Sequence, residues 1–174
     1  MFKNSVTPDI KARIIDMIDE NPSTMPSQMA AQLHISEAAV VSALPDPMGT
    51  FVDASHFDTV WEAMTGWEKI TFLSQSPTSV IEVKGKLPRG THGHGYFNLM
   101  DKDNPLGGHL KVDKLGAICF LEKPFFGLES LSVQFYDTHG DHMFAVYAGR
   151  EKRTLIPSVK AGFHALRNQL TNQE

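Results

Sequence analysis

Leu131-Ser132-Val133-Gln134-Phe135-Tyr136 sets the fold class. Leu131, Val133 and Phe135 alternate with Ser132, Gln134 and Tyr136. A period of two places each set on one face of a β-strand. Working outward, the same texture recurs. Met143 to Tyr147 reads as a strand, and Ala117-Ile118-Cys119-Phe120-Leu121 as an apolar strand covered on both sides. Gly108-His109-Leu110-Lys111-Val112 alternates, with His109 and Lys111 on the polar face. Ser79 to Lys84 sets Ile81 and Val83 against Glu82 and Lys84, and Ile70 to Leu73 is a short apolar segment. The turns between these segments are short, which favours antiparallel meandering over βαβ crossovers.

Both ends of the chain read as helical. Thr7-Pro8-Asp9 supplies a capping hydroxyl, a proline for the first turn and an acid near the positive helix end. Ile10, Ile14, Met17 and Ile18 follow at helical spacing, until Asn21-Pro22 stops the helix. Pro26 to Leu33 suggests a second helix, and Ser36 caps a third carrying Val40, Val41 and Leu44. Pro45-Asp46-Pro47-Met48-Gly49 reads as a linker, and a fourth helix spans Ser55 to Met64. Pro157 opens a last helix with Val159, Phe163, Leu166 and Leu170 on one stripe. The expectation is an α+β chain: a large antiparallel β-sheet with packed helices, preceded by a small N-terminal helical subdomain. The boundary falls at residues 1–48 and 49–174.

Bulk composition narrows the function. The 174 residues carry 41% hydrophobic side chains, enough for one real core plus a small subdomain. The net charge of −4 and a pI near 6.0 show no basic excess for nucleic acid. Cys119 is the single cysteine, so no intrachain disulfide framework exists, and its apolar surroundings imply a buried thiol in a reducing compartment. The chain opens Met1-Phe2-Lys3-Asn4, and no apolar run reaches signal-peptide or membrane-span length. A cytoplasmic protein without membrane insertion is expected.

The densest chemistry lies in Gly90-Thr91-His92-Gly93-His94-Gly95-Tyr96-Phe97-Asn98. Read as one strand, it would point His92, His94 and Tyr96 to the same side, with Asn98 behind them. Gly93 and Gly95 would let a flat ligand approach the backbone. Phe97 and Leu99 would face the core. A His-x-His pair is also half of a zinc site, though no third or fourth ligand is evident. The bland reading makes Tyr96 a packed strand tyrosine and the two histidines solvated.

An ordered set of motifs adds to this reading. Gly95-Tyr96-Phe97-Asn98-Leu99 is followed by Gly108-His109-Leu110-Lys111 and then Lys123-Pro124-Phe125-Phe126-Gly127 with Glu129-Ser130. Gly149-Arg150-Glu151-Lys152-Arg153 with Leu155-Ile156-Pro157 closes the set. Together with Phe57-Asp58-Thr59-Val60-Trp61, Trp67 and Ala43-Leu44-Pro45, these resemble the ChuX/HutX family of intracellular haem-utilisation carrier proteins. The resemblance implies a cytosolic carrier that holds imported haem b and passes it on. The partners implied are an importer component, a haem-degrading enzyme and a second copy of the chain in a homodimer.

Haem iron accepts His, Cys, Met or Tyr as axial ligand. Tyr96 is the first choice, binding ferric iron as phenolate. His109, on the next strand, is the second iron candidate, and His92 and His94 are competitors or hydrogen-bond donors to the tyrosinate. Lys111, Arg150, Lys152 and Arg153 are the propionate candidates. A position that aligns with a histidine in some relatives holds Gln75 here, which weakens a histidine-only scheme. Two other function classes stay in view. One is a haem-degrading enzyme, since related folds do that chemistry. The other, more remote, is a helix-turn-helix regulator over Pro8 to Leu44, whose third helix lacks Arg, Lys, Asn and Gln for reading DNA. No Gly-x-Ser-x-Gly elbow, phosphate loop or His-Glu-x-x-His is present.

Overall fold

A computed structural model describes residues 6–172. The opening Met1–Asn4 lies outside them. In chain order the helices are α1 (Pro8–Glu20), α2 (Pro26–Leu33), α3 (Glu37–Ser42), α4 (Phe57–Thr65) and α5 (Pro157–Thr171). The strands are β1 (Gly49–Asp53), β2 (Ile70–Ser76), β3 (Ser79–Gly85), β4 (Thr91–Gly93), β5 (Tyr96–Leu99), β6 (Gly108–Leu110), β7 (Leu115–Glu122), β8 (Leu131–Asp137), β9 (His142–Ala148), β10 (Arg150–Glu151) and β11 (Thr154–Leu155). No helix among the described residues is long and apolar enough to cross a membrane.

The helix starts follow local chemistry. Thr7 accepts a hydrogen bond from the Ile10 N–H, and Ser36 accepts one from the Ala39 N–H. Six antiparallel strands form the main sheet in the order β1-β7-β8-β9-β2-β3, and β4-β5-β6 form a second, three-stranded sheet. Strand β1 was not expected. It is five residues long with one buried side chain, Val52, so its alternation is too brief to register beside the Pro/Gly turn that precedes it.

Alternation along each strand builds two apolar layers. Ile118 and Phe120, Val133 and Phe135, Phe144 and Val146, and Ile70 and Phe72 face α4, α5 and the inner side of the three-stranded sheet. Phe97 and Leu99 belong to this core, as the alternation requires. On the opposite face Cys119, Leu121 and Tyr136 pack under α1–α3, against Ile14, Met29, Leu33 and Val40. Helix α3 is packing, not a reading head: Ala38, Ala39 and Val40 are fully buried. The N-terminal helices cover the part of this face that β1, β7 and β8 supply. Over β9, β2 and β3 the face is open.

Candidate functional site

The Gly90–Asn98 stretch is a hairpin, not one strand. β4 and β5 join through His94-Gly95, both with positive φ (53° and 78°), the signature of a two-residue type I′ turn. Gly95 supplies the φ that a side chain resists. Pairing then sets Gly93 opposite Tyr96, His92 opposite Phe97 and Thr91 opposite Asn98. The expectation that His92, His94 and Tyr96 share a face is therefore overturned. His92 stands on the Phe97 side, its ring 5.0 Å from that of Phe97 and its Nε2 2.7 Å from the Asp58 carboxylate. His94 sits at the exposed turn tip. The missed signal was Gly95 one residue before an alternating pair, which a hairpin demands and a flat strand does not.

The outer face of the small sheet collects Tyr96, Asn98, His109 and Lys111. Asn98 lies opposite His109, and the Tyr96 and His109 rings are 5.8 Å apart. The Asn98 amide nitrogen donates to the carbonyls of Thr91 and Gly93, at 3.1 and 3.0 Å. That orients Asn98 Oδ1, an obligate acceptor, to within 2.6 Å of His109 Nδ1. His109 Nδ1 is thus the donor to Asn98, which turns Nε2 away from that contact as the ring nitrogen available to a ligand. Lys111 Nζ lies 4.8 Å from the Tyr96 ring centroid, a cation–π contact. Tyr96 is 39% exposed, so its hydroxyl is reachable.

A second feature occupies the open part of the main sheet. It is a cleft of about 540 Å³, within the range of small-molecule sites. One cross-strand row of its floor runs Leu121, Ser132, Tyr147, Thr71, Lys84 through β7, β8, β9, β2 and β3. From β8 to β3 that floor is about 14 Å wide, at ~4.8 Å per strand. Along β2 the period of two presents Lys69, Thr71, Leu73 and Gln75 to it. Phe125 and Leu128 form a wall from the β7–β8 connection, and Met25 reaches in from the start of α2.

The candidate site residues therefore divide. Tyr96, His109 and Lys111 come together on the small sheet, with His94 near them in sequence. Arg150 and Lys152 line the cleft, and no residue of the Tyr96 group does. The Arg150 guanidinium donates to the carbonyls of Glu129 and Arg153, tying the β10–β11 hairpin to the β7–β8 connection. Partial burial pulls its pKa below the usual arginine value. Arg153 contributes its main chain to that tie and is not among the cleft-lining residues. Lys69, Lys84 and Lys123 were missed in the cleft. The period-two run from Lys69 to Gln75 was the legible signal for the first. Lys123 is 6% exposed, with Nζ 2.5 Å from the Pro22 carbonyl, and burial lowers its pKa.

Along the same face, from the floor towards α3, runs a buried polar ladder. Gln134 donates to Ser132 Oγ at 2.7 Å and reaches the Tyr147 hydroxyl at 3.5 Å. His142 donates from Nε2 to Gln134 Oε1 at 3.1 Å, and burial pulls its pKa down to about 4. Burial raises the Tyr147 pKa, so this residue stays a phenol. Under α3 the Tyr136 hydroxyl and His142 Nδ1 are buried without a hydrogen-bond partner among the described residues. Glu37, beside them, has its pKa raised to about 7 by burial and then by Asp141. Among the described residues no three His, Cys, Asp or Glu gather as a metal site, so the His-x-His zinc half-site finds no completion.

The sequence and the fold both have known relatives. The chain belongs to the haem utilisation ChuX/HutX family, whose model matches residues 50–166. The intracellular heme transport protein HutX of Vibrio cholerae serotype O1 is 37% identical over 161 residues, spanning 92% of this chain and 83% of HutX. A crystal structure of an Erwinia carotovora protein superposes with a TM-score of 0.85 at 34% identity, covering 90% of this chain and 98% of that one. The structure of the heme binding protein ChuX gives a TM-score of 0.82 at 30% identity, with 91% and 99% covered.

Proposed function

We propose that this protein is a cytoplasmic haem carrier. It holds haem b received from an importer component and passes it to a haem-degrading partner. The name of its relative HutX, a heme transport protein, supports the role. The observation that carries the reading is the cleft: an open sheet floor under an apolar wall of Met25, Phe125 and Leu128, with cations gathered at one end, in a chain of a haem-utilisation family. A porphyrin is a flat apolar disc with two carboxylates on one edge, and this shape and charge match it.

Tyr96 is the proposed iron ligand and His109 its alternative. A phenolate oxygen favours ferric iron, which suits transport because it discourages oxygen activation. The Tyr96 surface and the cleft lie on different faces of one chain, so one copy does not supply both. A homodimer that sets the Tyr96 sheet of one copy over the cleft of the other unites them, with Lys111 near a propionate. Residues 1–48 then act as a helical cover and residues 49–174 as the haem-binding domain.

A hemin titration monitored at the Soret band tests the reading, with sedimentation measured alongside. The expected result is a saturable shift on a dimer. Absence of any saturable shift overturns the carrier role.

A further inference from the structure

The cleft gathers its basic side chains at one end. The Gly149 N–H donates to the Lys69 carbonyl at 3.0 Å, which brings the β10–β11 hairpin beside the start of β2. Lys84 pairs in register with Thr71, two residues away. Lys69, Lys84, Arg150 and Lys152 therefore converge at one end of the floor. Glu82 is the single acid among the lining residues, and it lies 3.5 Å from Lys84. Arg150 is engaged with main-chain carbonyls. The Lys69 and Lys152 ammonium groups have no hydrogen-bond or ion-pair partner among the described residues, and both side chains are exposed. Two cations without acids at the end of a flat sheet floor walled by Met25, Phe125 and Leu128 call for two carboxylates on a flat apolar body.

The same lining is poor in iron ligands. It holds no histidine and no cysteine. Met25 and Tyr147 are its only side chains of types that bind haem iron, and the Tyr147 hydroxyl is turned to Gln134. We infer that the cleft binds the class of dicarboxylic tetrapyrroles through their carboxylates and ring face, so that the chain carries metal-free porphyrins as well as haem. The inference rests on the carrier reading and names the ligand class of that site.

Protoporphyrin IX, its dimethyl ester and hemin, each titrated into the full chain, form the test. Protein fluorescence quenching reports all three ligands on one scale. The expected result is saturable binding of protoporphyrin IX, with the ester weaker by about tenfold or more, the loss of a pair of charge-assisted contacts. A Lys69→Glu/Lys152→Glu variant, altered only at exposed side chains, should weaken protoporphyrin IX and hemin by the same factor. Hemin binding without protoporphyrin IX binding overturns the inference and leaves the carrier role standing. Equal binding of ester and diacid also overturns it. Failure of hemin to bind removes the carrier reading itself.

Discussion

Glu37 and His142 should oppose each other in the pH dependence of stability. Glu37 opens α3 and His142 lies under it, with Tyr136 between their elements; the Tyr136 ring centroid is 6.1 Å from that of His142, and its phenol is kept from ionising by burial first and then by the Glu37 charge. Glu37 rises from the ordinary 4.5 to about 7 in the folded chain. Between those values the unfolded chain has released the proton that the folded chain keeps. Stability therefore falls as pH rises from 4.5 to 7, by at most ~3 kcal/mol at 1.36 kcal/mol per unit. His142 falls from 6.5 to about 4. The unfolded chain binds a proton there that the folded chain refuses, so stability rises between pH 4 and 6.5 by a similar amount. In the wild type the two slopes nearly cancel between pH 4.5 and 6.5. Glu37→Gln removes the falling slope. Urea denaturation of the variant should show stability climbing by up to ~3 kcal/mol from pH 4 to 6.5. At pH 8 the variant should exceed the wild type, and at pH 4 the two should agree. Parallel pH profiles for both proteins would show that Glu37 and His142 do not oppose each other.

Further consequences follow from particular side chains. Gly95→Ala should cost about 1 kcal/mol in denaturant, because the strain of a positive φ acts there without a steric clash; the nearest atom to an added Cβ is Lys111 Nζ at 3.7 Å. Its hemin spectrum should change as well, since Tyr96 follows directly. Cys119 is fully buried and burial pushes its thiol pKa up, so Ellman's reagent should leave the folded protein untouched and react once it is unfolded. Hemin-loaded protein given a reductant should keep its Soret band, as a carrier's cargo does; loss of the band with release of iron or carbon monoxide would support the degradation reading instead.

The helices and the deep strands were readable because one local device fixes each. Thr7, Pro8 and Ser36 set helix starts, and the Leu131–Tyr136 alternation gave the buried and polar faces of a central strand. The Tyr96 site was half readable. Tyr96, His109 and Lys111 do meet, since strand pairing brings neighbouring segments together in register. His92 went to the wrong face because a two-residue turn reverses the chain where an unbroken strand was assumed. The cleft was largely hidden. Its cations come from residues 69, 84, 123, 150 and 152, and only the non-sequential order β8-β9-β2-β3 makes them neighbours. Its existence also depends on where the N-terminal helices stop covering the sheet, a property of packing that no local pattern carries.

The proposed haem site holds its iron through an oxygen of the small sheet. The absorption spectrum of ferric hemin-loaded protein, compared between wild type and Tyr96→Phe, tests this most directly. A high-spin ferric phenolate spectrum in the wild type, lost in Tyr96→Phe, is the predicted outcome. Identical spectra from the two proteins would contradict it.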